Sequence, residues 1–224
     1  MPTDTNKGFV HFFEDFLGDT INLDQFVVNG DDSTPGAIDV QHNGVFRMTG
    51  DGTDSDIENI YGPVQWRADA GGPLTLEVRA TLITSLANGE TFIGFSDAAV
   101  DEEPFSVNTT DVLTSTSSDG VGFCFTGGGT ADWKAVSTNA DADGTVTRLN
   151  VGGPTTPVLT TWQTFKLVVN QDGDVDFFID GINHYRENAA IAPATLHNWF
   201  CSFVDGGTVR SEDIDYIEVS AGRR

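Results

Sequence analysis

The sequence predicts an all-β protein of many short antiparallel strands with very little helix. Three observations carry this. Residues 162–185 alternate apolar and polar side chains, short β-type runs recur between Gly-rich turns, and helical periodicity is nearly absent. In the first stretch Phe165, Leu167 and Val169 alternate with Thr164 and Lys166. Further on, Val175, Phe177 and Ile179 alternate with Asp174, Asp176 and Asp180. Period two is the mark of a strand with one buried face. Asp172-Gly173 and Asp180-Gly181 punctuate the alternation. Asp-Gly suits tight hairpin turns, because the left-handed conformation is cheap for Gly and tolerable for Asp. The segment therefore reads as three meandering antiparallel strands.

Other β-type runs cover residues 37–40, 44–48, 74–83, 91–95, 121–125, 133–136, 145–149, 199–204 and 214–219. Leu74, Leu76, Val78, Ala80 and Leu82 form one long alternating strand. Turn-rich stretches separate the runs, at 29–36, 49–56, 68–73, 109–120, 127–129, 138–144 and 152–156. Such spacing argues for a sandwich or a barrel. Residues 96–103 and 186–191 are expected to make a turn or two of helix. The Ser/Thr/Asp run 108–120 reads as a mobile surface loop or an arm. Residues 1–8 are polar and expected to be a flexible arm, with 9–224 as a single domain.

With 224 residues and sixteen Phe, one domain of this kind buries a sizeable core without disulfide staples. Cys124 and Cys201 fall in core-like strands and read as buried thiols, with a cross-strand disulfide as the alternative. The net charge of −23, from 11 basic and 34 acidic residues, argues against direct nucleic-acid binding, which needs cations to displace counterions. Acid excess favours solubility and fits a salty setting, though ordinary acidic proteins share it. No apolar run approaches the ~20 residues of a membrane span. The opening Met-Pro-Thr-Asp-Thr-Asn-Lys lacks the basic start and apolar core of a secretory signal, so synthesis in a cytoplasm is expected.

Four features in order resemble a known superfamily. They are Phe12-Phe13-Glu14-Asp15-Phe16 followed by Gly18, then Gly-Val-Gly-Phe-Cys-Phe at 120–125 ahead of Trp133, then Trp162 with the Asp-Gly meander, then Asp215-Tyr216-Ile217-Glu218-Val219. This order is similar to the concanavalin A-like lectin/glucanase superfamily. It looks like a group within it carried by tailed phages, often of marine hosts, whose members are virion structural proteins. The resemblance implies an antiparallel two-sheet jelly-roll sandwich. It also implies a non-enzymatic capsid decoration or cement protein, assembled in the host cytoplasm and docked on the capsid exterior. Its partners would be the major capsid protein and further copies of itself, with residues 2–13 and 108–120 as arms. The superfamily also hosts lectins and glucanases, so a glycan-binding module is the alternative and a β-glucan hydrolase a third reading.

Candidate sites follow from these readings. Glucanases of the superfamily carry a Glu-x-Asp-x-x-Glu strand, in which a bulge gathers three acids on one concave face. A bulge near Tyr216–Ile217 would do the same for Asp213, Asp215 and Glu218, with Ile214, Tyr216 and Val219 inward. The first acid here is Asp, however, and the strand lies late rather than mid-chain. Solvated acids on an outer strand are the competing reading, and no residue is assigned as catalytic. Asn139, Asp141 and Asp143, with Gly144, match the first half of a calcium loop. The distal Glu is missing, since Asn150 stands there, so a polar hairpin turn competes with calcium. No other cofactor is expected. Trp133, beside Asp132 and after Gly127–Gly129, is the tryptophan best placed to be an exposed sugar platform. His11, His42, His184 and His197 lack metal spacing and read as structural or surface residues.

Overall fold

The computed structural model describes residues 9–17, 24–30, 36–37, 44–98, 103–128, 132–149 and 156–222. In chain order the strands are β1 (Phe9–Glu14), β2 (Val27–Gly30), β3 (Gly36–Ala37), β4 (Phe46–Thr49), β5 (Ile57–Tyr61) and β6 (Leu74–Leu82). Then come β7 (Glu90–Ser96), β8 (Phe105–Val107), β9 (Leu113–Ser115), β10 (Gly120–Thr126), β11 (Lys134–Asn139) and β12 (Ala142–Asp143). The last six are β13 (Thr147–Arg148), β14 (Gln163–Val169), β15 (Val175–Ile179), β16 (Ile182–Glu187), β17 (Asn198–Val204) and β18 (Ser211–Gly222). A single 3-10 turn, Ala68–Ala70, is the one helix among the described residues.

The strands build two antiparallel sheets. The first runs β16-β15-β14-β6-β18-β4-β3, with β1 also paired on β18; the second runs β12-β11-β10-β7-β17-β5-β2, with β13 on β11. The predicted meander is β14, β15 and β16. Its turns use left-handed Gly173 (φ 88°) and the pair Asp180 (φ 51°) and Gly181 (φ 78°). Alternation then sets the core. Leu74, Leu76, Val78 and Ala80 of β6 face inward with Phe165, Leu167 and Val169 of β14. They meet Ile93, Phe95, Val121, Phe123, Phe125, Trp199 and Cys201 from the second sheet. Phe123 contacts Phe165 and Phe177 edge-on across the interior at 5.3 and 5.4 Å, an arrangement favoured by the ring quadrupoles.

Several local expectations are corrected. Residues 9–13, read as part of an arm, form β1 and pair with β18 from Phe9↔Gly222 to Glu14↔Ile217; residues 1–8 lie outside the described residues. Alternate burial of Val10 and Phe12 holds this strand to the body. Residues 186–191 are not helical: Arg186 and Glu187 close β16, and Ala189 sits in a turn with φ 51°. Ser96 ends β7 and residues 99–102 lie outside the described residues. The run 108–120 is not a loose arm but carries β9 and the tip of the β8–β9 hairpin. Asn108 Oδ1 organises that tip by accepting from Thr110 N at 2.9 Å and Val112 N at 3.0 Å.

Cys124 and Cys201 are free and buried. Cys124 pairs with Phe92 and Cys201 with Ile93, so β7 separates them, and they face opposite sides of the sheet. Burial pushes both thiols well above their ordinary pKa, which leaves them unreactive small hydrophobes.

Candidate functional site

Asp213, Asp215 and Glu218 all belong to β18, and a bulge does gather them on one face. The register against β6 shifts between Ile214 and Tyr216, so the irregularity sits at Asp215, earlier than expected. Parity changes there. Ile214, Ile217 and Val219 are fully buried, while Tyr216 turns outward and its hydroxyl donates to Glu77 at 2.8 Å, correcting its expected inward position. The acids lie on the outer face of the first sheet, and each has its own basic partner. Arg47 grips Asp213 through two bonds of 2.6 and 2.8 Å. Arg79 pairs with Asp215, and His11 Nε2 lies 3.1 Å from Glu218. Retaining hydrolysis needs one carboxyl that keeps a transferable proton beside a free nucleophilic one. Bidentate pairing instead holds Asp213 as an occupied carboxylate.

Trp133, the expected exposed platform, is buried. It is 2% exposed, its Nε1 donates to Gln163 at 3.0 Å, and its ring meets Phe165 at 4.5 Å. The cause is parity along β11: Trp133 and Ala135 face the core, Lys134 and Val136 the other side. Of the four tryptophans Trp162 is the one partly exposed, and the Arg79 guanidinium covers its ring at 4.8 Å.

Asn139 ends β11 and Asp143 lies in β12, and Asp141 falls in the two-residue hairpin turn Ala140-Asp141 between them. Ala140 (φ 52°) and Asp141 (φ 61°) take the left-handed pair of a type I′ turn. The side chains are used locally: Asn139 Nδ2 donates to Ala189 O at 2.8 Å, and Asp143 accepts from Thr138 at 3.1 Å. Among the described residues no group of three or more His, Cys, Asp or Glu is placed to hold a metal. Asn150 lies outside the described residues.

The outer face of the second sheet holds what sequence reasoning missed. Tyr61, Phe92, Cys124, Val136 and Phe200 form a second apolar cluster there, and Phe105, Val107 and Leu113 of the β8–β9 hairpin cover it. Small residues make the room: a Cβ at Gly122 would come within 2.4 Å of the Phe92 ring, and one at Gly120 within 3.0 Å of Phe105. Polar clamps fix the hairpin. Glu90 accepts from Val107 N at 2.9 Å and Ser106 Oγ at 3.2 Å, and Thr126 Oγ1 donates to Val107 O at 2.7 Å. Asp111 at the tip binds buried Lys134 at 3.2 Å and Arg148 Nε at 2.8 Å.

Behind the clamps sits a buried charge cluster. Arg210 is 2% exposed and donates to Glu90 O, Val204 O and Thr91 Oγ1, each at 3.2 Å. Desolvation pulls the guanidinium's pKa down, against the carboxyls of Glu212, Asp205, Glu90 and Glu103. One guanidinium does not balance four carboxyls, and Lys134 is a further cation acting on Glu90. Burial raises Glu90, and burial followed by the neighbouring Glu90 charge raises Glu103 well above the carboxylate range. The side-chain hydrogen bond between the two acids raises Glu103 and lowers Glu90. Burial likewise pushes Glu212 up to about 8.

That value carries a pH dependence. The folded Glu212 carboxyl keeps its proton to about pH 8, whereas the unfolded chain loses it near the ordinary carboxylate pKa. Its contribution is fully present below that ordinary value and is lost as pH rises towards 8, at about 1.4 kcal/mol per pH unit at most. Glu212→Gln keeps the shape of the protonated acid. It is expected to flatten the fall in Tm between about pH 5 and 8. An unchanged Tm–pH curve would refute the assignment.

Beside the hairpin opens a cleft of about 630 Å³. Asp54, Asn88, Glu90, Asn108, Thr126 and Asp205 are among its lining residues, which gives it an acidic and hydrogen-bonding wall.

No family model matches the chain, and no curated protein matches its sequence. Solved structures share the fold. A protein of unknown function from Shewanella oneidensis MR-1 is 16% identical with a TM-score of 0.60, over 100% of this chain and 90% of that one. A Bacillus licheniformis β-glucanase is 10% identical with a TM-score of 0.62, over 93% of this chain and 97% of that one. The carbohydrate recognition domain of Emp47p is 8% identical with a TM-score of 0.62, over 94% of each chain. The chain has the antiparallel two-sheet jelly-roll sandwich of these structures, and identities this low speak to the fold alone.

Proposed function

We propose that the protein is a non-enzymatic virion component of a tailed phage, docked on the capsid exterior against the major capsid protein. The observation that carries the non-enzymatic reading is the filled outer face of the second sheet. The molecule's own hairpin occupies that surface with Phe105, Val107 and Leu113. On the other sheet, the β18 acids are paired with Arg47, Arg79 and His11. Placement on a phage particle rests on the resemblance of the sequence motifs. The charge of −23 fits it, since an acidic skin stays soluble and avoids packaged DNA until assembly. Purified protein is expected to co-sediment with particles of the parent phage, and mass spectrometry of virions to detect it. Failure of both removes the proposal.

A second reading, a glycan-binding module, has one observation in its favour: the polar cleft lined by Asn88, Asn108, Thr126 and Asp205. A glycan array with and without chelated calcium tests it. A hit lost in Asn88→Ala supports this reading, and silence across the array removes it.

A further inference from the structure

β1 is an edge strand with unusual composition for its position. It pairs with β18 on one side, and among the described residues no strand pairs with its other side. Natural edges are blunted by Lys, Pro, bulges or short length, because a bare row of N–H and C=O groups templates another strand. β1 has six residues, Phe-Val-His-Phe-Phe-Glu, and none of those guards. Its outward set is Phe9 (62% exposed), His11 and Phe13 (49% exposed). Three rings run together here: His11 stacks on Phe13 at 6.4 Å, and Phe13 meets Tyr216 at 6.0 Å. The strand's one acid, Glu14, is turned back to accept from Phe16 N at 2.8 Å.

Two further facts select the occupant. The order Phe9-Val10-His11-Phe12-Phe13 reads as aromatic, apolar, His, apolar, aromatic from either end. An antiparallel copy of the same strand therefore complements it, which is the requirement of an isologous two-fold contact. Charge supplies the second. A chain of −23 repels itself wherever its acids are bare. On the face that carries β1 much of the acid charge is offset: Arg47, Arg79, Lys166 and Arg186 pair with Asp213, Asp215, Glu77 and the two acids Asp174 and Asp176.

We propose that β1 is a homotypic docking edge, along which two copies pair antiparallel about a two-fold axis at His11 and fuse their first sheets into one. Phe9 of one copy then stands opposite Phe13 of the other on the outer face, and Val10 opposite Phe12 on the inner. A six-residue edge falls below a standard interface, so the dimer is weak and concentration-dependent. The contact goes beyond the virion reading and does not depend on it.

Sedimentation of the purified protein from about 1 to 500 µM is expected to show a reversible monomer–dimer equilibrium. The double variant Phe9→Lys/Phe13→Lys changes outward residues only, so its Tm is expected to stay near wild type while Kd rises at least about tenfold. Register is tested by thiols, because the native cysteines are buried. His11→Cys is expected to oxidise to a covalent dimer, since directly opposed residues lie within disulfide range. Phe9→Cys is expected to cross-link with Phe13→Cys but not with itself. A monomer at every concentration, a dimer indifferent to the paired lysines, or cross-linking that ignores this register would each overturn the proposal. Loss of particle binding with the dimer intact would count against the virion reading alone.

Discussion

Arg210→Met is expected to destabilise the fold by about 3–5 kcal/mol at pH 7, the usual cost of removing one partner from a buried charge cluster. For a domain of this size that lowers Tm by roughly 10 °C or more. The reason lies in the stoichiometry around the guanidinium. Glu212, Asp205, Glu90 and Glu103 all feel its charge, and its donors hold Glu90 O, Val204 O and Thr91 Oγ1. Methionine fills the volume but leaves those acceptors unmet and the acids without a counter-charge. All of them must then hold protons in the folded state. The deficit is therefore expected to widen as pH rises through neutrality. Urea unfolding at about pH 5 and about pH 8 checks both parts, because stability falls with pH wherever the folded state binds more protons. A loss below about 1 kcal/mol, or one equal at both pH values, contradicts the cluster as described.

Phe105→Ala is expected to cost about 3 kcal/mol, the lower end for truncating a buried aromatic ring, and the loss is expected to be local. Phe105 is fully buried with its ring 4.8 Å from Phe92, and it belongs to a two-stranded sheet outside both large ones. Without it the hairpin retains the Glu90 and Asp111 clamps but loses its anchor. The Val107 amide, which donates to Glu90, is expected to exchange hydrogen far faster. Core amides of β6 and β14 are expected to stay protected. Dye binding should rise as Phe92 and Phe200 are uncovered. Uniform loss of protection across both sheets would show instead that the hairpin is integral to the fold.

The legible parts of this molecule were those written in period two. Phe165, Leu167 and Val169, then Val175, Phe177 and Ile179, fall on the inner face as their alternation demands. Asp180-Gly181 turns the chain in the conformation the dipeptide favours. Short pieces were not legible. β8 and β9 have three residues each, too few for a period to register, and their Ser/Thr/Asp setting looks like loop. Exposure of Trp133 was misread because composition around a tryptophan says little about its side of the strand. Gln163, thirty residues on, supplies the buried partner for its N–H. Arg210 and its acids were invisible for a different reason. Charged residues in an acidic chain read as surface, and only tertiary packing collects Glu90, Glu103, Asp205 and Glu212 around one guanidinium. Of the candidate sites, the β18 acids share a face, but through a bulge at Asp215 rather than Tyr216–Ile217, and their partners Arg47, Arg79 and His11 come from β4, β6 and β1.

The placement of β18 has a consequence for how this chain reaches its native state. β18 lies inside the first sheet, between β6 on one side and β4 and β1 on the other. On the ribosome, β1, β4 and β6 emerge long before the strand that joins them. Until it arrives they have no shared neighbour, and the core lacks Ile214, Ile217 and Val219. Assembly must therefore wait for late synthesis, and its rate is governed by long-range loop closure rather than local structure. Nascent chains stalled before β18 are the species most exposed to chaperones and to aggregation.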